Sequence, residues 1–154
     1  KNFIKWVDEG VSLSPEVVAT LERKLGVIFP SKFKEIITFH NGGTPQKDSF
    51  YYYDEFLLRK VGSGVGGFIP LVHDEYESIE SLVFSPPEFF PEGLVAFAET
   101  GGGDFICFDY RQGKDNPDPP IVYWSHGADI GKDVSFIAKN FEEFLDMLQE
   151  PDEE

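Results

Sequence analysis

The residues best suited to nucleophilic catalysis lie at positions 125–129. Ser125 and His126 are adjacent and Asp129 follows three residues later, so a hydroxyl, an imidazole and a carboxylate are all present. A triad is defined by its geometry, and no G-x-S-x-G nucleophile elbow surrounds Ser125. A loop that follows a strand explains these residues more simply. We therefore predict that these residues are not catalytic and that the chain has no intrinsic hydrolase activity.

Three carboxylates near a glycine-rich turn could bind a divalent cation through their oxygen atoms. They are Glu99, Asp104 and Asp109. For Asp104 we favour a structural role in which the carboxylate accepts hydrogen bonds from backbone amides of the turn, and Asp109 is placed to begin the next turn. The roles of Glu99 and Asp109 stay open at this point.

The remaining candidates for cofactor or metal chemistry are weaker. Gly62, Gly64 and Gly67 match the spacing G-x-G-x-x-G, but Phe-Ile-Pro follows where a dinucleotide site needs a helix, so a flexible loop is expected at 62–67. None of the three histidines lies at metal-ligand spacing from another histidine or from Cys107. We expect no cofactor and no metal.

The charge of the chain limits its partners. The formal net charge is -15 over 154 residues, and the isoelectric point is near 4.4. Such a surface repels phosphate groups, so nucleic acid and anionic lipid are not expected partners. A basic protein is favoured, or the charge serves only solubility. No apolar run approaches the ~20 residues that span a bilayer.

The chain has a single cysteine, Cys107, within an apolar run. An intrachain disulfide is therefore excluded, and a reducing cytoplasm is the expected location. The neighbouring apolar residues predict that Cys107 is a buried, reduced core residue.

Helical patterns occur at both ends of the chain. Ser14-Pro15-Glu16 is a typical helix start, and the helix should end at Gly26. A second helix should begin with Ser31 as its cap and stop near Asn41. A third is expected within 75–84. The last should begin at Asn140, with Glu143 reaching back as in a capping box.

Strand patterns occupy the middle of the chain. Two apolar runs flank a Gly-Gly-Gly-Asp turn in residues 94–110, which predicts an antiparallel hairpin. Further strands are expected within 49–58, 68–72 and 121–124. The order predicts a single α+β domain over 1–154, in which helices pack on a mostly antiparallel sheet. Its core spans about 14–148, and an acidic tail follows at 150–154.

Several segments, taken in order, resemble the SUKH superfamily, which includes bacterial toxin-immunity proteins and fungal cell-wall assembly regulators. LGVIFP at 25–30, FKEII at 33–37 and NGG at 41–43 are similar to the beginning of that family's pattern. AFA at 96–98, GGD at 102–104 and CFD at 107–109 are similar to its central hairpin. IVYWSH and FEEFL, at 121–126 and 141–145, resemble its late strand and closing helix.

The resemblance covers about residues 14–148, and its combination of motifs is more specific than any single one. It departs from the family pattern at 47–91, a segment that we expect to carry partner specificity. The resemblance implies a SUKH-like α+β domain without catalytic activity, which binds and neutralises a cognate toxin, often a nuclease, in the cell that makes it. A nuclease tends to be basic, which agrees with the acidic charge of this chain.

Two other functions stay open. One is a regulatory scaffold that binds a cellular protein and no toxin. The other is a small metal-dependent enzyme that uses the carboxylates near the hairpin. On the toxin reading, our candidate partner-binding residues are carboxylates beside the hairpin and in the variable segment: Glu99, Asp109, Asp54, Glu55, Asp74, Glu75 and Glu77.

Overall fold

The computed structural model describes residues 4–151, so the predicted acidic tail lies partly outside the described residues. The helices of this part of the chain are α1 (Pro15–Leu25), α2 (Ser31–Phe39), α3 (Ile79–Phe84) and α4 (Phe141–Met147). The strands are β1 (Trp6–Asp8), β2 (Thr44–Pro45), β3 (Ser49–Asp54), β4 (Arg59–Gly64), β5 (Gly67–Phe68), β6 (Leu94–Glu99), β7 (Phe105–Asp109), β8 (Ile121–Trp124) and β9 (Val134–Ala138).

An antiparallel sheet of five strands, in the order β5-β6-β7-β8-β9, forms the centre of the fold. Two smaller antiparallel pairs, β1-β2 and β3-β4, stand beside it. The predicted α+β class with a mostly antiparallel sheet is confirmed. The predicted hairpin at 94–110 is also confirmed, since β6 pairs with β7 from Leu94 opposite Asp109 to Glu99 opposite Phe105.

Phenylalanines fill the space between one face of the sheet and the helices. Phe97 and Phe108 of the sheet contact Phe33 of α2 and Phe141 of α4, with ring centroids 5.0–5.9 Å apart. These four side chains are fully buried. A β-bulge between Ala96 and Ala98 interrupts the pairing at Phe97. Tightly packed aromatic pairs of this kind stabilise the core beyond the area that they bury.

The β3-β4 hairpin packs beside β9. Its Tyr52 ring stacks on Tyr123 of β8 at 4.3 Å between centroids. Neighbouring residues of a strand face opposite sides of a sheet, so Trp124 faces away from Tyr123. There Phe90 lies edge-on to both Trp124 and Phe105. Both faces of the sheet are therefore covered, and the free Cys107 is fully buried as predicted.

The predicted helix boundaries hold with local shifts. Ser14 caps α1 by accepting from the Val17 amide, and Gly26 ends it in a left-handed conformation with φ of 75°. The prediction for α2 is wrong by one residue, because Pro30 holds the cap position and Ser31 is the first helical residue. In α4 the Glu143 carboxylate accepts from the amide of Lys139, which precedes the Asn140 cap, so the bond is displaced by one residue from a capping box.

The structure differs from the sequence predictions at β4 and at β9. The loop expected at 62–67 is wrong in part, since Gly62 and Gly64 lie within β4, paired with Tyr51 and Ser49. Residues of β3 alternate between exposed and buried, with the rings of Phe50 and Tyr52 turned inward. A shift of the pairing by one residue would turn these rings outward, so their burial favours the observed register. The sequence patterns gave no prediction for β9, although it forms an edge of the main sheet.

Candidate partner-binding surface

A carboxylate and an imidazole join the β6-β7 turn to the loop after β8. Asp104 Oδ1 accepts from the backbone amide of His126 at 2.9 Å and lies 2.6 Å from His126 Nδ1. Because a carboxylate only accepts, Nδ1 carries the proton. Gly103 gives the imidazole room, since a Cβ there would stand 2.9 Å from His126 Cε1. The prediction that Asp104 binds amides of its own turn is therefore wrong, because the amide that it binds belongs to a loop 22 residues later.

The same carboxylate extends the network into the small hairpin. Tyr123 donates its hydroxyl proton to Asp104 Oδ2 at 2.8 Å, and Ser63 of β4 lies 3.2 Å from the same hydroxyl oxygen. Burial, together with the nearby Asp104, raises the pKa of Tyr123. These bonds hold the β3-β4 hairpin, the β6-β7 turn and the β8-β9 loop in one arrangement.

Ser125, His126 and Asp129 do not form a triad among the described residues. The imidazole is held by Asp104, while the Ser125 amide donates to the carbonyl of Asp133. The carbonyl of Asp129 accepts from the Lys132 amide in a turn. The aspartate that orients His126 thus comes from another part of the chain, and no hydrogen bond in the described part of the chain links Ser125 to the imidazole.

The three carboxylates considered for a cation are not brought together. Glu99 lies at the turn end of the β6-β7 hairpin, where its Oε1 accepts from the Gly101 amide at 2.6 Å. Asp109 lies at the far end, opposite Leu94. Within residues 4–151, no group of three or more histidine, cysteine or acidic side chains is arranged to hold a metal ion.

Asp109 is engaged by an arginine two residues later. Its two carboxylate oxygens accept from Nε and Nη2 of Arg111 at 2.9 Å each, and Oδ1 also accepts from the Arg111 amide at 3.0 Å. Burial raises the pKa of Asp109, but the hydrogen bonds and charge of Arg111 outweigh burial and lower the pKa overall. Asp109 therefore begins a turn, which is one of the two roles that its sequence position left open.

Asp54 closes the tip of the β3-β4 hairpin. It is 4% exposed and accepts from the Tyr52 hydroxyl and from the amides of Phe56 and Leu57. Burial, Tyr123 and Asp54 together raise the pKa of Tyr52 well above its ordinary range. Its neighbour Glu55 is exposed. Of the two acids at this tip, Glu55 is thus the one that a partner can reach.

The other three candidates occupy an exposed segment before α3. Asp74, Glu75 and Glu77 are all exposed. His73 organises the segment, because its Nδ1 accepts from the amides of Glu75 and Tyr76. Glu77 faces a groove that also includes Glu99, so two candidates from distant parts of the sequence share one surface.

This groove, here called the acidic groove, has a volume of about 930 Å³. It runs between the segment before α3, the loop after α3 and the β6-β7 turn. The residues that line it are Phe68, Ile69, Pro70, Tyr76, Glu77, Pro87, Glu88, Phe89, Glu99, Gly101, Gly103, Asp104, Phe105, Trp124 and His126. The sequence predictions missed Tyr76, Glu88 and Phe89. The mixed acidic and aromatic run at 88–90, directly after Pro86-Pro87, is the signal that could have indicated two of them.

A second groove lies on the other side of the Asp104-His126 pair. This hairpin groove, of about 900 Å³, is lined mainly by β3, β4 and the β8-β9 loop. Its lining includes the cations Arg59 and Lys60 as well as Asp54. The two grooves therefore differ in charge although they share Asp104 and His126.

Comparison with known proteins matches this chain to one family. The profile of the SMI1/KNR4 family (SUKH-1) matches residues 12–147. The SPbeta prophage-derived uncharacterized protein YokK of Bacillus subtilis (strain 168) is 27% identical over 151 residues, which cover 88% of this chain and 75% of that protein. The uncharacterized protein YnaB of the same organism is 27% identical over 136 residues, with the same two shares. None of the helices between residues 4 and 151 is long and apolar enough to cross a membrane.

Proposed function

The chain belongs to the SMI1/KNR4 family (SUKH-1), as its motifs predicted, and on that premise we propose that it is a non-catalytic immunity protein. It binds a cognate protein toxin in the cytoplasm and neutralises it by occupying the surface that the toxin uses. The toxin is basic, and a nuclease fits that description because its substrate is polyanionic.

The observation that carries this proposal is the distribution of unpaired acidic charge. Within residues 4–151, Glu22, Glu35, Glu80 and Asp109 each have a lysine or arginine within 4.0 Å. No lysine or arginine between residues 4 and 151 lies within 4.0 Å of Glu77 or Glu99, and these two residues line one groove together with Glu88 and Asp104. A concentration of uncompensated negative charge on one face attracts a basic protein and orients it during encounter.

The acidic candidates divide by accessibility. Glu55, Asp74, Glu75 and Glu77 are exposed and act as rim charges toward the partner. Glu99 is half-buried, and its Oε1 accepts from the Gly101 amide, so it offers the partner its second carboxylate oxygen. The carboxylates of Asp54 and Asp109 are committed to hydrogen bonds within the chain. Replacement of either is expected to act first on stability.

The test is binding of this protein to the toxin-like product of the neighbouring reading frame, measured by stopped-flow kinetics at low and high salt. The variants are Glu77→Lys and Glu99→Lys, alone and together, with Asp146→Lys as the matched control on α4. We expect the on-rate to fall by about tenfold in the double variant at low salt, with a smaller effect at high salt. The control is expected to stay near the unsubstituted protein.

Protection is measured in parallel by co-expression of the toxin with each variant. An on-rate that is indifferent to salt, and to charge reversal at Glu77 and Glu99, would contradict the proposed acidic surface. Tight binding of a cellular protein, with no protection against the neighbouring gene product, would favour the regulatory scaffold instead.

The non-catalytic part of the proposal has its own test. Ser125→Ala is expected to leave protection intact, because neutralisation here depends on occupancy and not on turnover. His126→Ala tests catalysis only where toxin binding is unchanged, because the imidazole also lines the acidic groove and holds Asp104. Loss of protection in a variant that still folds and still binds the toxin would favour the enzyme.

A further inference from the structure

The acidic groove combines exposed aromatic side chains with uncompensated carboxylates. Tyr76 and Phe89 are 70% and 67% exposed, although both are large and apolar. Phe105 and Trp124 line the same groove and stack with their ring planes 10° apart. The groove therefore contains two exposed rings and one stacked pair of largely buried rings.

The charged side chains that line the groove are acidic. Glu77, Glu88, Glu99 and Asp104 line it, and its lining includes no lysine or arginine. Asp104 is already bound to His126. The other three carboxylates form no ion pair with a lysine or arginine of the described residues, so a cation that enters the groove meets charge that is not yet neutralised. The hairpin groove lacks this property, because its own lining supplies cations.

Like Leu58 at the β3-β4 turn, Phe89 has a positive φ, which is unusual for a residue with a side chain. Its φ is 67°, in the left-handed region that disfavours residues with a Cβ. The exposed phenyl group gains little from burial that could offset this conformation. Strained residues of this kind concentrate at binding sites.

We propose that the acidic groove receives an arginine side chain from a basic segment of the protein partner. Arginine fits better than lysine, since its planar guanidinium group stacks on aromatic faces and pairs with carboxylates through two parallel hydrogen bonds. In the bound state the guanidinium group lies against Tyr76 or Phe89 and pairs with Glu77 or Glu99. The biological meaning of this site rests on the function proposed above.

The test uses a defined probe and does not require the toxin. The capped peptide Gly-Arg-Gly-Arg-Gly is titrated into ¹⁵N-labelled full-length protein, and the backbone amide and Trp124 indole resonances are followed. The peptide with lysine in place of arginine is titrated in the same way. We expect saturable shifts confined to the residues that line the acidic groove, and weaker binding of the lysine peptide by about threefold or more.

Three variants separate the contributions of ring faces and charge. Tyr76→Ala and Phe89→Gly each remove an exposed ring. The paired change Glu77→Gln with Glu99→Gln removes two charges but leaves a side-chain oxygen at position 99 that can still accept from the Gly101 amide. Each variant is expected to weaken the arginine peptide by about threefold to tenfold, because exposed cation–π contacts and rim charges are individually modest. Asp146→Asn is the matched control and should bind like the unsubstituted protein, and thermal unfolding establishes that every variant is folded.

Shifts spread over the whole acidic surface, or equal binding of the two peptides, would overturn the arginine site. So would undiminished binding in the folded Tyr76 and Phe89 variants. If the peptide fails while the neighbouring toxin is still bound and neutralised, the arginine site is wrong and the immunity function stands. If the peptide binds as expected while the toxin is neither bound nor neutralised, the immunity function is wrong and the groove serves another basic partner.

Discussion

Replacing Asp109 by asparagine should destabilise the protein in a way that depends on pH. The carboxylate holds Arg111 through two side-chain hydrogen bonds and one from the amide, and it is 13% exposed. Asparagine keeps one acceptor oxygen and loses the charge. Hydrogen bonds to charged groups contribute about 1.5–3 kcal/mol, but the Arg111 side chain is 42% exposed and solvent screens it. We therefore expect a loss of about 1–2 kcal/mol in the free energy of unfolding at pH 7.

The sign of the pH dependence follows from the lowered pKa of Asp109. Its ordinary value is 3.8, and Arg111 brings it below that value in the folded protein. The unfolded chain binds the proton more readily, so the carboxylate stabilises the fold above pH 3.8 and loses this effect as pH falls through the lower folded pKa. The difference between the two proteins should be constant near neutrality and should shrink below pH 3.8.

Urea unfolding followed by circular dichroism, from pH 7 to pH 3, measures this difference. Thermal unfolding at pH 7 is a second measurement, in which the midpoint temperature of the variant should be lower by roughly 3–6 °C. Asp146→Asn serves as the control for removal of one negative charge from an acidic protein. A loss of stability that is the same at pH 3 and pH 7, or no loss at all, would refute the assignment of Asp109 to the Arg111 pair.

Three further predictions concern the core and the groove. The thiol of Cys107 should react slowly with a thiol reagent in the native state and rapidly in urea, because it is fully buried and burial raises its pKa. Fast labelling of the native protein would contradict the register of the β6-β7 hairpin. Phe97→Ala should lower the free energy of unfolding by about 3–5 kcal/mol, whereas Phe136→Ala, at a side chain that is 57% exposed, should change it by less than about 0.5 kcal/mol in chemical denaturation. Phe89→Gly should raise the free energy of unfolding by up to about 1 kcal/mol, because glycine adopts the positive φ without strain. A destabilised variant would mean that the Phe89 ring packs on the fold.

Local chemistry determined much of the fold. The Ser14-Pro15 start, the Gly26 stop and the apolar runs around the glycine-rich turn at 101–103 each depend on residues close in sequence, so helix α1 and the central hairpin could be predicted. The same holds for the buried state of Cys107, because it lies between large apolar residues. Family membership also followed from the order of such local motifs.

Contacts between distant segments determined the rest. Strand β9 lies at an edge of the sheet, and its pairing with β8 gives it a place that its short sequence pattern does not reveal. Gly62 and Gly64 look like loop residues, yet their pairing with β3 extends them as a strand. In both cases a partner strand supplies the hydrogen bonds that the local sequence cannot specify.

The candidate site shows the same division. Composition alone predicted an acidic protein with a preference for basic partners, and Glu77 and Glu99 could be named as candidates. Only the tertiary structure brings these two residues into one groove with Tyr76 and Phe89, and only it assigns Asp104 to His126. The physical reason is that a groove and a hydrogen-bonded pair are defined by distances in space, and the chain sets those distances through packing of its buried phenylalanines, far from the residues that face the partner.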